Sequence, residues 1–592
     1  MTTDQIILFA LFGAVFGLLL WGRFRYDLVA FGALMVAVVA GVVPSADAFA
    51  GFGHPATLVV ALVLIVSAGL VRSGAVFLIT RTLVDSARGL GGHITLMGAV
   101  GGVLSAFMNN VAALALLMPV DIQTARKAGR AVGLSLMPLS FATILGGMVT
   151  LIGTPPNIII ASIREEALGE PFRMFDFAPV GGVAALAGLA FVALIGWRLI
   201  PSHAGTGAGS IAEDFAEYVA ELTVPEGSKL IGQRLAELTE AADKADVAIL
   251  GLIRGGKRRY GLARNTELGA GDAIVIEATP EAMDEFRSAL KLAVADAKRE
   301  EVLRAAGAGL SIVEMVVPEN ARIRGKTAES VGLSWRQSSV LMGISRRGRR
   351  ITQRIRKTDI KTGDILLVLA PTEAAHDVTD WLGCLPLADR GLAVTDSSKT
   401  WLAIGLFVAA VLAASVGLLY LPIALGIVVV GYVLTKVLPL TDIYDHIEWP
   451  VVVLLGSMIP LGAALDASGG TELIAGSLIR LTDGLPAWAI LTVLMVVTMT
   501  LSDVLNNTAT TIVAAPVGIE MADKLDVSPD PFLMAVAIAA SAAFLTPIGH
   551  KNNTLILGPG GYGFGDYWRM GLPLEIIIIA VSIPALLIFW PL

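Results

Sequence analysis

Two asparagine doublets, Asn109-Asn110 and Asn506-Asn507, lie inside stretches otherwise apolar enough for a bilayer. A serine stands four residues ahead of each doublet, Ser105 and Ser502, and a proline nine residues beyond it, Pro119 and Pro516. A Thr-Pro break follows each, Thr154-Pro155-Pro156 at 44 residues from Asn110 and Thr546-Pro547 at 39 from Asn507. Amide side chains supply donors and acceptors without placing a fixed charge in hydrocarbon, and prolines withdraw backbone donors. A broken membrane helix leaves N–H and C=O groups unpaired, which is tolerated only where they line a cavity or meet a partner. The N-terminal ends of half-helices suit anions, whereas freed carbonyls suit small cations such as sodium. Two matching breaks therefore predict one anion at a pseudo-two-fold axis with a cation site on each flank. One isolated Asn or Pro would read as a kink; two copies in register point to a transporter.

The elements that position these residues must be membrane helices. Of 592 residues, 55% are hydrophobic and only 16% charged, with a mean hydropathy of +0.75, which places the chain among polytopic membrane proteins. Stretches long enough to span are 6–22, 29–46, 58–78, 132–152, 178–200, 402–420, 422–437, 449–466, 531–546 and 571–590, with hairpin blocks at 94–120 and 489–517. Residues 6–22 lack a small-residue cleavage site after them and read as a retained helix. A single cysteine, Cys384, excludes an intramolecular disulfide framework. The net charge of −7 and the lack of a basic stretch interleaved with aromatics argue against a nucleic-acid partner.

The chain reads as four parts: a membrane half at 1–200, two soluble segments at 203–300 and 301–398, and a membrane half at 399–592. The basic residues Arg23, Arg25, Arg81, Arg88, Arg126, Lys127 and Arg130 are expected to be cytoplasmic, so the first hairpin enters and leaves on one side. The acidic stretch 518–530 fits the external face, which makes the two copies inverted; the acidic stretch 440–448 fits this topology worst. In the soluble part, Val224-Pro-Glu-Gly recurs as Val317-Pro-Glu-Asn, and Gly271-Asp272 as Gly363-Asp364, each followed by an apolar strand. The turns Arg254-Gly-Gly-Lys257 and Arg347-Gly-Arg349 fall between paired strands. These are two tandem α+β domains, roughly 215–292 and 308–386.

Asn109-Asn110 with Gly153-Thr-Pro-Pro-Asn157, and Asn506-Asn507-Thr508 with Thr546-Pro-Ile-Gly-His-Lys-Asn552 and Gly558-Pro-Gly-Gly-Tyr562, are similar to the divalent anion:sodium symporter family. That family belongs to the ion-transporter superfamily of dicarboxylate, citrate and sulfate carriers. The resemblance spans both membrane halves. It implies a polytopic α-helical membrane protein with inverted repeats, two re-entrant hairpins and an elevator mechanism, a homodimer in the inner (plasma) membrane, with residues 203–398 cytoplasmic. It also implies a small anionic substrate held by Asn109, Asn110, Val111, Gly153, Thr154, Pro155, Asn506, Asn507, Thr508, Thr546, Pro547 and Gly549. Sodium ligands carry over to Ser105, Asn109, Asn110, Gly153, Ser502, Leu505, Asn507 and Leu545. Co-transported sodium is expected, and no organic cofactor. Val111 stands where the first tip of the family has threonine, which removes a hydroxyl and tilts the reading toward a compact oxyanion such as sulfate.

Lys551 in the second break reads either as snorkelling to the interface or as an ammonium that replaces or competes with a sodium ion. His550 reads as a hydrogen-bonded structural histidine rather than a proton site. Asp503 is a membrane carboxylate and so a functional candidate, or else a hairpin-arm position near water; with Lys551 it is a candidate for coupling. Asp176 and Asp566 read as interfacial positions where helices begin. The soluble repeats resemble the C-terminal domain of TrkA-type potassium-uptake regulators, often called RCK-C, which implies a cytosolic dimerising module that binds a small regulatory ligand or serves structurally. No Gly-x-Gly-x-x-Gly fingerprint follows a strand, so a nucleotide-binding half is not expected. A channel or potassium-linked system gated by these domains is the rival; no run such as Thr-Val-Gly-Tyr-Gly supports it. No His-Glu-x-x-His or Gly-x-Ser-x-Gly supports an enzyme, and the six histidines are scattered.

Overall fold

The computed structural model describes residues 1–21, 24–75, 89–201, 219–245, 247–254, 257–259, 266–277, 280–294, 310–319, 321–333, 339–346, 349–351, 355–371, 375–387, 397–482 and 484–592. Arg23, Arg81, Arg88, the turn positions Gly255, Gly256 and Arg347, Arg354 and the junction at 300–301 lie outside these residues. The chain divides into two compact units, 1–202 with 391–554 and 563–592, and 203–390 with 555–562.

The first unit is helical. Its N-terminal part contains α1 (Thr3–Trp21), α2 (Tyr26–Val39), α3 (Pro55–Arg72), α4 (Leu90–Phe107), α5 (Asn110–Lys127), α6 (Gly133–Gly147), α7 (Pro155–Leu168) and α8 (Ala178–Leu194). After the second unit's helices α9 (Thr239–Lys244), α10 (Pro280–Leu290), α11 (Ala328–Val331) and α12 (Ala375–Leu382) come α13 (Ser397–Ser415), α14 (Leu421–Leu434), α15 (Trp449–Ala467) and α16 (Gly470–Leu481). The last five are α17 (Ala487–Ser502), α18 (Asn507–Lys524), α19 (Asp530–Ser541), α20 (Lys551–Leu557) and α21 (Tyr567–Phe589). Pro55, Pro155, Pro179, Pro422, Pro450 and Pro531 open helices, where the missing N–H has no intrahelical partner to lose. Helices α4–α8 pack with α17–α21, while α1–α3 pack with α13–α15. Among the described residues, four segments, Ala50–Arg72, Leu90–Phe107, Trp449–Ala467 and Phe564–Phe589, are long and apolar enough to cross a membrane.

Both asparagine doublets interrupt the helical ladder. α4 ends at Phe107 and α5 begins at Asn110; α17 ends at Ser502 and α18 begins at Asn507. The first asparagine of each pair is an N-cap, with Asn109 Oδ1 accepting from the Val111 N–H at 2.8 Å and Asn506 Oδ1 from the Thr508 N–H at 2.9 Å. An N-cap amide satisfies one of the helix's orphan donors. The doublet is thus a helix start rather than a kink.

The second unit holds two five-stranded antiparallel sheets. The first contains β1 (Val219–Thr223), β2 (Ala248–Arg254), β3 (Lys257–Arg259), β4 (Ala273–Glu277) and β5 (Ala293–Val294), in the order β3-β2-β4-β1-β5. The second contains β6 (Leu310–Val316), β7 (Val340–Arg346), β8 (Arg349–Ile351), β9 (Ile365–Pro371) and β10 (Leu385–Pro386), in the order β10-β6-β9-β7-β8. Read from the other edge, the second order is the first. Even the bulge recurs, between Ile249 and Gly251 in β2 and between Leu341 and Gly343 in β7.

The recurring Gly-Asp has a structural task. Asp272 takes a two-pronged ion pair from Arg254, at 2.8 and 2.6 Å, and Asp364 takes one from Arg346, at 2.8 and 2.7 Å. In each domain the same guanidinium reaches a carbonyl, of Glu267 or Asp359, at 2.6 Å. Each aspartate backbone carbonyl also accepts from the N–H of the valine just after β1 or β6, Val224 or Val317. Burial alone would raise the Asp272 pKa, but the Arg254 hydrogen bond, the Gly269 N–H and the Arg254 charge outweigh it, so the carboxyl sits below its usual range. Cys384, enclosed in the second domain's core, has its thiol pushed up to about 12 by burial.

Candidate functional site

Matched hydrogen bonds superimpose the two breaks and correct their register. Asn157 Nδ2 donates to the Thr150 carbonyl at 2.9 Å, and Asn553 Nδ2 donates to the Thr546 carbonyl at 3.2 Å. The Thr150 hydroxyl donates to the Ala106 carbonyl, and the Thr546 hydroxyl donates to the Asp503 carbonyl. Ala106 follows Ser105 as Asp503 follows Ser502. The counterpart of Thr546 is therefore Thr150, not Thr154, and the spacings from the second asparagine become 40 residues and 39. Thr154 corresponds to His550, Pro155 to Lys551 and Asn157 to Asn553.

The prolines play a different part from the one their sequence suggests. Pro155 and Pro156 open α7, and the non-helical stretch lies ahead of them, at 148–154. In the second half, 542–550 is non-helical and contains Pro547. Proline at the first helical turns costs no hydrogen bond, so the break in the first half comes from Gly147 to Gly153. A Cβ on Gly153 would strike the Gly147 backbone, and a Cβ on Gly549 would stand 2.8 Å from the Asp503 backbone. Only glycine allows these close approaches.

The segment Gly549–Asn552 touches both hairpin tips. Gly549 lies against the backbone of Ser502 and Asp503. Its neighbour His550 places Nε2 3.4 Å from the Asn110 amide group. Asn552 Nδ2 donates to the Asn110 carbonyl at 3.2 Å and to the Thr143 hydroxyl at 2.8 Å. His550 Nδ1 accepts from the Asn552 N–H at 3.2 Å, and its Nε2 faces the Asn110 Nδ2 group. His550 is a hydrogen-bonded histidine between the two repeats.

The two tips differ in detail. Ser105 donates to Asn110 Oδ1 at 2.6 Å, whereas Ser502 donates to the Ala540 carbonyl at 2.5 Å. Asn507 Oδ1 accepts from the Thr508 N–H at 2.8 Å and, more weakly, from its hydroxyl at 3.4 Å. Val111 offers no such hydroxyl. Leu505 is buried beside Asn506, and the Leu545 N–H donates to Asp503 Oδ1 at 2.9 Å. Asn553 is further held by Ser140, which donates to its Oδ1 at 2.9 Å. Thr154 Oγ1, Asn157 Oδ1 and Asn552 Oδ1 are buried without a hydrogen-bond partner among the described residues. Such atoms are rare in folded proteins and call for a ligand, ion or water.

Asp503 is 2% exposed, which removes the reading of an arm position near water. Its carboxyl group neighbours that of Glu575, the one acid inside the 571–590 apolar span and a residue the sequence reading passed over. Glu575 Oε1 in turn accepts from the Phe544 N–H at 3.3 Å. Consecutive N–H groups of the second break, Phe544 and Leu545, are thus held by the two carboxyl groups. Lys551 does not merely snorkel. Its ammonium pairs with Glu448 Oε2 at 2.5 Å, and it stands 5.5 Å from the centre of the Tyr26 ring. Asp176 and Asp566 each accept a backbone N–H at 2.7 Å, from Arg173 and Gly563, at the start of α8 and α21. Among the described residues, no group of three or more His, Cys, Asp and Glu is placed to hold a metal ion.

The chain matches the CitMHS family, described as citrate transporter, over residues 16–522 and 478–592. It is 30% identical over 573 residues to an uncharacterized transporter of Synechocystis sp., covering 94% of this chain and 93% of that relative. It is 28% identical over 617 residues to the uncharacterized transporter YfbS of Escherichia coli, covering 100% of both. It is also 21% identical over 761 residues to sodium/sulfate cotransporter 2 of Chlamydomonas reinhardtii, covering 93% of this chain and 85% of that one.

Proposed function

This chain belongs to the citrate transporter family, a multi-pass membrane transporter and not an enzyme, and from that premise we propose that it is a sodium-coupled carrier of a small divalent anion. The substrate class is a sulfate-type oxyanion or a dicarboxylate, and the cycle is alternating access of the elevator kind. The observation that carries the reading is the segment Gly549–Asn552, which meets Ser502-Asp503 on one flank and Asn110 on the other. Broken segments that meet inside a membrane unit bring helix N-termini and free polar atoms to one place, which suits an anion flanked by cations. The anion is held by Asn109, Asn110, Gly153, Thr154, Pro155, Asn506, Asn507, Thr508, Thr546, Pro547 and Gly549, with Val111 leaving one side less polar. Sodium is held near Ser105, Asn109, Asn110 and Gly153 in the first half, and near Ser502, Leu505, Asn507 and Leu545 in the second. Relatives named sodium/sulfate cotransporters support sulfate and sodium, and a Caenorhabditis elegans relative, 29% identical over 139 residues, is named a sodium-dependent dicarboxylate transporter.

The carrier works as a homodimer, and its two α+β domains are RCK-C-like cytosolic modules at 203–300 and 301–398 that respond to a small ligand or stabilise the dimer. Uptake of labelled sulfate and labelled succinate into proteoliposomes, each with and without an inward sodium gradient, tests the reading. Saturable, sodium-driven accumulation of either anion supports it; sodium-independent flux of both contradicts it.

A further inference from the structure

Where α4, α5 and α6 come together, away from the site above, three polar side chains are enclosed. His93 Nε2 lies 2.6 Å from Asp121 Oδ1, and the Ser135 hydroxyl donates to Asp121 Oδ2 at 2.7 Å. His93 is 2% exposed and Asp121 0%. Ionisable groups at such depth in a membrane segment are costly and are functional candidates.

The second repeat shows what the fold itself needs at this place. His93 is the fourth residue of α4, Asp121 the twelfth of α5 and Ser135 the third of α6. The same positions of α17, α18 and α19 are Ile490, Gly518 and Phe532, all buried. A Cβ on Gly518 would sit 3.4 Å from Leu494, 3.5 Å from the Phe532 Cβ and 3.7 Å from Val536, so the place an aspartate occupies in the other copy is surrounded here by apolar side chains. Apolar packing therefore secures the base of a hairpin without any charge.

We propose that His93, Asp121 and Ser135 form a proton-binding site at the base of the first hairpin, whose occupancy sets how firmly α4, α5 and α6 are held and so tunes the transport cycle. A second proton on the imidazole makes the His93–Asp121 pair electrically neutral; without it, one negative charge stays enclosed between the arms. Among the described residues, the charged and titratable groups on the surrounding elements are Arg126 and Lys127 in the last turn of α5, Arg130 in the turn beyond, Arg198 after α8, and Arg569 and Glu575 on α21. Asp530 of α19 is held by Arg164 at 2.8 Å. α4 carries no titratable group besides His93, and α6 and α8 carry none.

The tuning of transport rests on the carrier reading, but the proton site does not, and two measurements separate them. Nitrogen-labelled histidine NMR of the full chain in nanodiscs follows the six histidines between about pH 5 and about pH 8. The expected result is one titrating signal that vanishes in His93→Gln and shifts its midpoint in Asp121→Asn. A His93 signal unchanged across that window overturns the proposal. Initial uptake of labelled sulfate is then expected to change by about fivefold or more over the same window in the unmodified chain. It is expected to change by less than about twofold in His93→Gln and in the combined His93→Ile, Asp121→Gly, Ser135→Phe variant, which installs the second repeat's packing. Equal pH profiles in all three overturn the tuning. If labelled succinate is the anion carried, the same profiles are read with it; no uptake of either sulfate or succinate at any pH sinks the carrier reading and leaves the NMR result to decide the site.

Discussion

The side-chain amide of Asn110 lies 3.4 Å from Nε2 of His550, across 440 residues of sequence. One residue is at the tip of the first hairpin and the other in the break of the second repeat, so the contact ties the two halves at the place where each helix is interrupted. Asn552 reinforces it through the Asn110 carbonyl and the Thr143 hydroxyl.

Replacing Asn110 by Ala strands the Ser105 hydroxyl, takes away the Nδ2 group that faces His550 Nε2, and removes an amide from the proposed anion site. Uptake is expected to fall by about tenfold or more, since each lost buried hydrogen bond costs about 1–3 kcal/mol. Asn109→Ala removes the N-cap, worth about 1 kcal/mol, together with one amide of the proposed site, and is expected to lower thermal stability and to reduce uptake less than Asn110→Ala does. Equal losses of uptake in the two variants would show that the second asparagine has no special role.

Asn553 bonds to Ala543, Thr546 and Ser140, and Asn157 to Thr150 and, at 3.5 Å, to Met148. Asn553→Ala is expected to destabilise the membrane unit by about 2–4 kcal/mol, because two carbonyls and a hydroxyl lose their partner. Asn157→Ala is expected to cost less, as its contacts are fewer. Thermal unfolding in detergent ranks the two variants, and a reversed order contradicts this account of the breaks.

The Lys551–Glu448 pair predicts non-additive effects. Lys551→Gln leaves Glu448 without its cation and Glu448→Gln leaves Lys551 without its anion; each is expected to alter the sodium dependence of uptake. The double variant is expected to recover part of the loss, with an interaction of about 0.5–3 kcal/mol. Additive losses would mean that the ammonium acts on transport independently of Glu448. An unaltered sodium dependence in Lys551→Gln would exclude Lys551 from coupling.

In the second unit, Asp272 titrates below its ordinary value in the folded chain. A lowered carboxylate contributes stability that is present above its unfolded pKa and is lost as pH falls through the folded one. Limited proteolysis of the full chain is therefore expected to speed up near 219–294 as the medium is acidified below about pH 4. Asp272→Asn is expected to show the faster cleavage already at neutral pH. Acid sensitivity unchanged by this substitution contradicts the assignment.

Much of the architecture was legible because two signals were strong. Apolar runs of helix length located the membrane helices, and the doublets Asn109-Asn110 and Asn506-Asn507 marked the interruptions. The Pro-Glu and Gly-Asp landmarks marked the two sheets because each Gly-Asp is held by an arginine at the end of the neighbouring strand. The register of the second break was misread because Thr154-Pro155 and Thr546-Pro547 look alike as dipeptides. The pairing that matters, Thr150 with Thr546, depends on which hydroxyl reaches a carbonyl of the hairpin, and no local pattern encodes that contact. Glu575 and the His93–Asp121–Ser135 trio went unread for a related reason. Their partners are far apart in the chain, and only the unusual cost of a charge in an apolar run could have drawn attention to them.

The most direct measurement is uptake of labelled sulfate and labelled succinate into proteoliposomes containing the full chain, with the sodium gradient as the only driving force. The account predicts accumulation of one of these anions that saturates with concentration, collapses when the gradient is dissipated and is lost in Asn110→Ala. Flux of both anions that neither saturates nor responds to sodium would contradict it.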